Sequence, residues 1–162
     1  IGGFFRRRAL RLMCVALVAL SACNKSEEKA TEEKASAKKE KADDPHEMQK
    51  AMGRQVAKQW LAVGDEDNWE ATWDNASAIF KKSIDKEQWV KKATSVREPL
   101  GKVMERNLIV VKFETSLPGA PDGEYVIAQF RTRWEHKAQS VETVSVVKEP
   151  DGMWRVTGYF VN

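Results

Sequence analysis

The hydrophobic repeat of this chain changes once, at Gly101, and that change constrains the fold more than any other feature. Before it, apolar residues recur at three- and four-residue steps; after it they alternate, the repeat of a half-buried strand. Met48, Met52, Val56, Trp60 and Val63 mark a first helix, which Gly64 is expected to stop. Asp67-x-x-Glu70 reads as a capping box for a second helix, with Trp69, Thr72, Trp73, Ala76, Ile79 and Phe80 as its apolar stripe. Ser83 or Asp85 caps a third, shorter helix that presents Trp89, Ala93 and Val96 on one face. Pro99 ends it by pushing Glu98 out of helical geometry. Tryptophan and methionine stripes at this spacing are read as core, not as a cofactor site.

Beyond Gly101, Ile109, Val111, Phe113, Thr115 and Leu117 share one face of a first strand. Pro118 to Gly123 is loop by composition. The second strand puts Val126, Ala128, Phe130 and Trp134 on one face and Gln129, Arg131, Arg133 and Glu135 on the other. A third strand runs through Val141–Val147. The turn Pro150-Asp151-Gly152 leads to a fourth, where Trp154, Val156 and Phe160 alternate with Arg155, Thr157 and Tyr159. Short connections make the four strands an antiparallel meander, and the three helices cover its apolar face. The expected fold is therefore α+β, with three N-terminal helices on a curved four-stranded sheet, as in nuclear-transport-factor-like or cystatin-like cones. Gly158 in mid-strand permits a bulge.

Upstream, Arg6 to Arg11 and the nine-residue apolar run Leu12–Leu20 have the layout of a signal peptide, and the run is too short to span a bilayer. Leu20-Ser21-Ala22-Cys23 then reads as a lipoprotein processing site, so residues 1–22 are expected to leave and Cys23 to be acylated. Ile1 rather than Met opens the sequence, so its start is expected upstream. The net charge of +3 falls to −1 once the four leader arginines are set aside, which argues against nucleic acid as a partner. Both cysteines, Cys14 and Cys23, lie in this region, so no disulfide is expected in the domain. Residues 23–45 form a tether rich in Lys, Glu, Ala and Ser that lacks the apolar residues needed to order itself. As a coil it reaches about 25 Å. The domain proper is 46–162, the bilayer is the expected partner of Cys23, and Asn24 after the cysteine favours the outer membrane.

The series Arg97-Glu98-Pro99-Leu100-Gly101, Arg106, Leu117-Pro118-Gly119, Asp122-Gly123-Glu124-Tyr125, Glu142-Thr143 and Asp151 to Phe160 resembles domain of unknown function 4019. This resemblance implies a bacterial envelope lipoprotein, with no activity attached.

No catalytic constellation, metal-ligand cluster or phosphate loop is visible, and no cofactor or metal is expected. His136, in register with Phe130 and Trp134, is the one candidate base at a pocket mouth, although a rim histidine without an orienting partner is the plainer reading. Glu135 and Glu142 are near it in sequence only. His46 sits at the tether boundary. Arg131 and Arg133, two apart on the polar side of a strand, form a candidate grip for a carboxylate or phosphate against the plainer reading of a solvated face. Arg97, with Arg106, flanks the helix-to-sheet crossing; it either joins such a site or bonds the last carbonyls of its helix. Asn75-Ala76-Ser77 matches a glycosylation acceptor but falls in an expected helix. The reading that fits best is a tethered, non-catalytic binding domain whose partner is an envelope protein or a small anionic ligand. The alternatives are a small pocket hydrolase or isomerase, or a passive envelope component.

Overall fold

The computed structural model describes residues 44–162; the expected leader, the acylated Cys23 and nearly all of the tether lie outside the described residues. The first helix, α1, spans Glu47–Asp65. Its buried face is Gly53, Ala57, Trp60, Leu61 and Gly64; of the expected stripe, Trp60 is buried and Val56 packs against the core, but Met48 and Met52 are exposed. The reason is close approach. A Cβ built on Gly53 would lie 2.4 Å from Cβ of Val126, and one on Gly64 would lie 2.6 Å from the Trp69 ring. Gly53 therefore faces the sheet at Val126 and Gly64 faces Trp69, while the methionines turn outward. Gly64 lies inside the helix instead of stopping it, and the chain reverses at Asp67, which takes a left-handed φ of 58°.

The single second helix expected from the sequence is two: α2 (Trp69–Asp74) and α3 (Ala78–Ser83). Asn68, not Asp67, caps α2, its side chain accepting from the Ala71 N–H. The break falls at Asn75–Ser77 because Ser77, fully buried, is held by the sheet. Its N–H donates to Val156 O at 2.9 Å, and its hydroxyl accepts from the Phe80 N–H to start α3. Asp85 caps α4 (Lys86–Arg97), which ends in a 3₁₀ turn over Glu98–Leu100. Trp89 and Ala93 of α4 are buried as expected, but the next inward position is Arg97; Val96 is exposed. The described residues thus form four α-helices where three were expected.

Strands β1 (Val103–Glu114), β2 (Tyr125–Trp134), β3 (Ser140–Lys148) and β4 (Trp154–Val161) form an antiparallel sheet in sequential order, the α+β meander implied by the change of repeat. Of three register shifts in the ladders, two redirect core side chains. The first, between Leu108 and Val110 of β1, leaves Ile109 outside the core while Leu108, Val111 and Phe113 pack against it. The second pairs Ser145 with Gly158 and Val146 with Val156, so Thr157 is the extra residue. Since a one-residue insertion exchanges the faces of everything beyond it, Tyr159 packs inward and Phe160 stands 65% exposed. Phe160 is therefore not core, although Trp154 and Val156, before the bulge, are. Between helices and sheet, Trp60, Trp69, Phe80 and Trp89 meet tilted or edge to face, with centroids 4.9–6.5 Å apart.

Candidate functional site

Two helix ends and all four strands deliver one polar side chain each to a single point, buried at Glu142, Thr132 and Arg97 and open to solvent at Asp65. Asp65 closes α1 and Arg97 closes α4; Arg106 comes from β1, Thr132 from β2, Glu142 from β3 and Tyr159 from β4. The β4 bulge is what turns Tyr159 toward this point.

Glu142 is fully buried and both of its oxygens are engaged. Oε2 accepts from Arg106 Nε (2.7 Å) and the Thr132 hydroxyl (2.5 Å); Oε1 accepts from the Tyr159 hydroxyl (2.7 Å) and, at longer range, from Arg106 Nη2 (3.3 Å) and Arg97 Nη1 (3.4 Å). Asp65 bridges the two arginines, accepting from Arg97 Nη2 at 2.7 Å and from Arg106 Nη1 and Nη2 at 2.5 and 2.9 Å. Arg97 Nη1 also donates to the Tyr159 oxygen at 2.9 Å. The Arg97 guanidinium lies 4.3 Å from the Trp134 ring centroid and 5.2 Å from that of Trp69, a desolvated cation against two π faces. Two cations thus meet two carboxylates, so the cluster is neutral in sum.

Burial pushes the Asp65 carboxyl up, but hydrogen bonds from Arg106 and Arg97 outweigh it and hold the group below the ordinary carboxylate value. Burial, then the neighbouring Glu142 carboxylate, drive the Tyr159 phenol far above its usual range. Burial alone would lower Arg106; the bonds to Asp65 and Glu142 reverse this and raise it. All three are held in their neutral-pH forms, as a structural clamp requires and a proton shuttle does not.

A cleft of about 750 Å³ opens beside the cluster. Asp65, Trp69 and Arg97 line it together with Asp67, Glu98, Lys102 and Glu135. His136 is absent from this lining. Strand β2 ends at Trp134, so His136 falls in the exposed β2–β3 turn, its N–H donating to Leu100 O at 3.0 Å. Arg131 and Arg133 are exposed on the sheet face turned away from the helices, lining a shallow depression of about 250 Å³ with Glu105, Asn107 and Gln139. Arg133 Nε lies 3.6 Å from the Glu105 carboxylate. The four residues singled out from the sequence therefore occupy three places, and only Arg97 belongs to the buried cluster. His46 stacks on Phe113 at 4.0 Å, and Asn75-Ala76-Ser77 falls in the α2–α3 break. Among the described residues, no group of three or more His, Cys, Asp and Glu side chains is placed to hold a metal ion.

The model of a protein family of unknown function, DUF4019, matches residues 56–159. The chain belongs to this family. The matched stretch takes in all six cluster residues of the DUF4019 domain, from Asp65 to Tyr159, its last position. No curated protein matches the chain.

Sequence reasoning noted Arg97 and Arg106 but missed Asp65, Thr132 and Tyr159 as their partners, and left Glu142 without a role. One signal was present: Glu142 sits two residues before Val144 and four before Val146, on the apolar side of β3, where an acid needs a cation.

The Asp65 shift sets an acid limit on the DUF4019 domain. A carboxyl whose folded value is depressed contributes stability that is complete above its unfolded value, near 3.8, and is lost as pH falls through the lower folded value. Urea unfolding is expected to be level down to about pH 4 and to weaken below it, with a shallower decline in Asp65→Asn. An identical acid decline in that variant would place the sensitivity in other groups.

Proposed function

We propose that this chain is an envelope lipoprotein, held to a bilayer through acylated Cys23, that binds a partner without catalysing a reaction on it. The observation that carries the non-catalytic part is the saturation of the buried charges. A general base needs a free lone pair and a mid-range pKa, whereas Glu142 accepts five hydrogen bonds and Asp65 is shared by two arginines. The cluster ties both helix ends to the sheet and holds the domain in shape. We read the helices on a four-stranded antiparallel sheet as a nuclear-transport-factor-like or cystatin-like cone, an architecture that serves binding and catalysis alike.

The binding surface we favour is the outer sheet face around Arg131 and Arg133. These cations are exposed, and Arg131 makes no ion pair among the described residues. They suit a carboxylate or phosphate on a small ligand or on an envelope protein. Placement in the periplasm, at the outer membrane, follows from Cys23 and Asn24. Labelled-palmitate incorporation with detergent partitioning tests the anchor: the wild-type protein is expected to be labelled and Cys23→Ala unlabelled. Replacing Arg131 and Arg133 by alanine should remove capture of envelope partners while lowering the melting temperature by a few degrees at most, because exposed charges contribute about 0–1 kcal/mol. Capture that survives the double substitution moves the binding surface elsewhere.

The cleft favours a second reading. Its volume of about 750 Å³ is that of a small-molecule site, and exposed Asp67, Glu98 and Glu135 bring carboxylates to its wall. On that reading the domain turns over a small substrate there. Loss of a measurable turnover in Glu135→Gln, with the arginine double variant fully active, would replace the binding reading.

A further inference from the structure

Between α4 and the edge strand β4 lies a groove of about 340 Å³, within the range of small-molecule sites. It shares no lining residue with the cleft beside the cluster or with the depression at Arg131 and Arg133. Trp89, Ala93 and Val96 line it from the helix, and Tyr159, Phe160 and Val161 from the strand. The helix residues are four and three positions apart, which puts them on one face of α4. The bulge at Thr157 sets the strand wall, since it brings Tyr159 in toward the helices and leaves Phe160 at the rim.

The groove is apolar because its polar atoms are engaged elsewhere. Trp89 Nε1 donates to the Thr72 hydroxyl at 2.9 Å, the Tyr159 hydroxyl is tied to Glu142 and Arg97, and the Ser83 hydroxyl donates to Phe80 O at 2.8 Å. Val96 and Phe160 remain 41% and 65% exposed. Lys92 alone among the lining residues is charged. It lies three positions after Trp89 and four before Val96, and it makes no ion pair among the described residues.

We infer that the groove binds an aliphatic chain ending in a carboxylate, with the chain on Trp89, Val96 and Phe160 and the head group at Lys92. Burial of alkyl surface is what such walls offer, and the lone cation decides which end of the ligand carries charge. One lysine matches one negative charge, whereas a phosphate monoester would leave charge over, with no arginine among the lining residues to meet it. An added β-strand is opposed by the edge itself. The Ser77 N–H already occupies Val156 O at 2.9 Å, and the bulge at Thr157 follows, which leaves only Gly158–Val161 as regular edge.

The test is calorimetric titration of decanoate into the full chain carrying Cys23→Ala, with decanol and decyltrimethylammonium beside it. The substitution removes the chain's own acyl group as a competing occupant and changes nothing if Cys23 is unacylated, so the outcome does not depend on the anchor. Decanoate is expected to bind saturably, one per chain, and to bind about four-fold more tightly for each methylene added from octanoate upward. Lys92→Ala is expected to weaken decanoate about three- to five-fold and to leave decanol unchanged. Val96→Glu, which sets a carboxylate in the groove from the helix, is expected to cost more than tenfold, and Phe160→Glu to do the same from the strand; both positions are exposed, so the melting temperature should hold. Absence of saturable decanoate binding overturns the inference. So does binding that survives both glutamate variants, or decyltrimethylammonium bound as tightly as decanoate. Binding of an alternating valine–threonine peptide in place of decanoate overturns it in favour of strand addition at β4.

Discussion

Glu142→Ala is expected to cost the DUF4019 domain about 3–5 kcal/mol, the range for removing one partner of a buried ion pair. The carboxylate is fully buried and accepts from four side chains, Arg97, Arg106, Thr132 and Tyr159. Without it, two guanidiniums share the single carboxylate of Asp65, and Arg97, only 6% exposed, regains little hydration in exchange. For a domain of this size the loss corresponds to a fall in melting temperature of roughly 12–20 °C, at about 4 °C per kcal/mol. Calorimetry of Glu142→Ala beside Arg133→Ala makes the contrast, since Arg133 is exposed and its removal is expected to change stability by about 0.5 kcal/mol or less. The double variant Arg106→Met, Glu142→Leu should recover part of the loss, because replacing both partners leaves no orphaned charge. A loss below about 1 kcal/mol for Glu142→Ala would mean that cleft water solvates the arginines, and the cluster would no longer count as a structural clamp.

How much of this was legible beforehand depends on the range of the interaction concerned. The change of hydrophobic repeat at Gly101 is local, and it was enough for the α+β class, the four antiparallel strands and their order. The Asp85 cap and the inward Trp89, Ala93, Val126, Ala128 and Phe130 are local in the same sense. What escaped was set across the fold. Ser77 breaks a helix because Val156, 79 residues later, accepts its N–H. Met48 and Met52 look like core until the close approach of α1 to Val126 admits only glycine and alanine there. The two arginines of the cluster find partners 32 to 62 residues away in the chain, and no spacing rule connects them. Only Glu142 carried a readable mark, as an acid on the apolar side of its strand. The exposed arginine pair was visible for the opposite reason: strict alternation in β2, a strand without a bulge against β3, places its side chains correctly from sequence alone.

Strand β4 gives the sharpest measure of what a bulge does to such alternation. Trp154, Val156 and Phe160 are even-numbered neighbours that an unbroken strand would bury together. Thr157 is inserted between the pairs Val146–Val156 and Ser145–Gly158, so the faces exchange after Val156. Trp154 is 6% exposed and belongs to the core, whereas Phe160 is 65% exposed. Trp154→Ala is therefore expected to destabilise the domain by about 3–5 kcal/mol, the usual cost of emptying a buried tryptophan site. Phe160→Ala is expected to stay within about 0.5 kcal/mol, as for a surface substitution. Tyr159→Phe completes the series: it keeps the ring beside Trp60 and Trp89 but leaves Glu142 Oε1 and Arg97 Nη1 without the hydroxyl, at about 1–3 kcal/mol. Chemical denaturation of the three variants reads this order directly. If Phe160→Ala matched Trp154→Ala while Tyr159→Phe were silent, β4 would run without its bulge, Tyr159 would face solvent, and the buried cluster would lose its hydroxyl bridge.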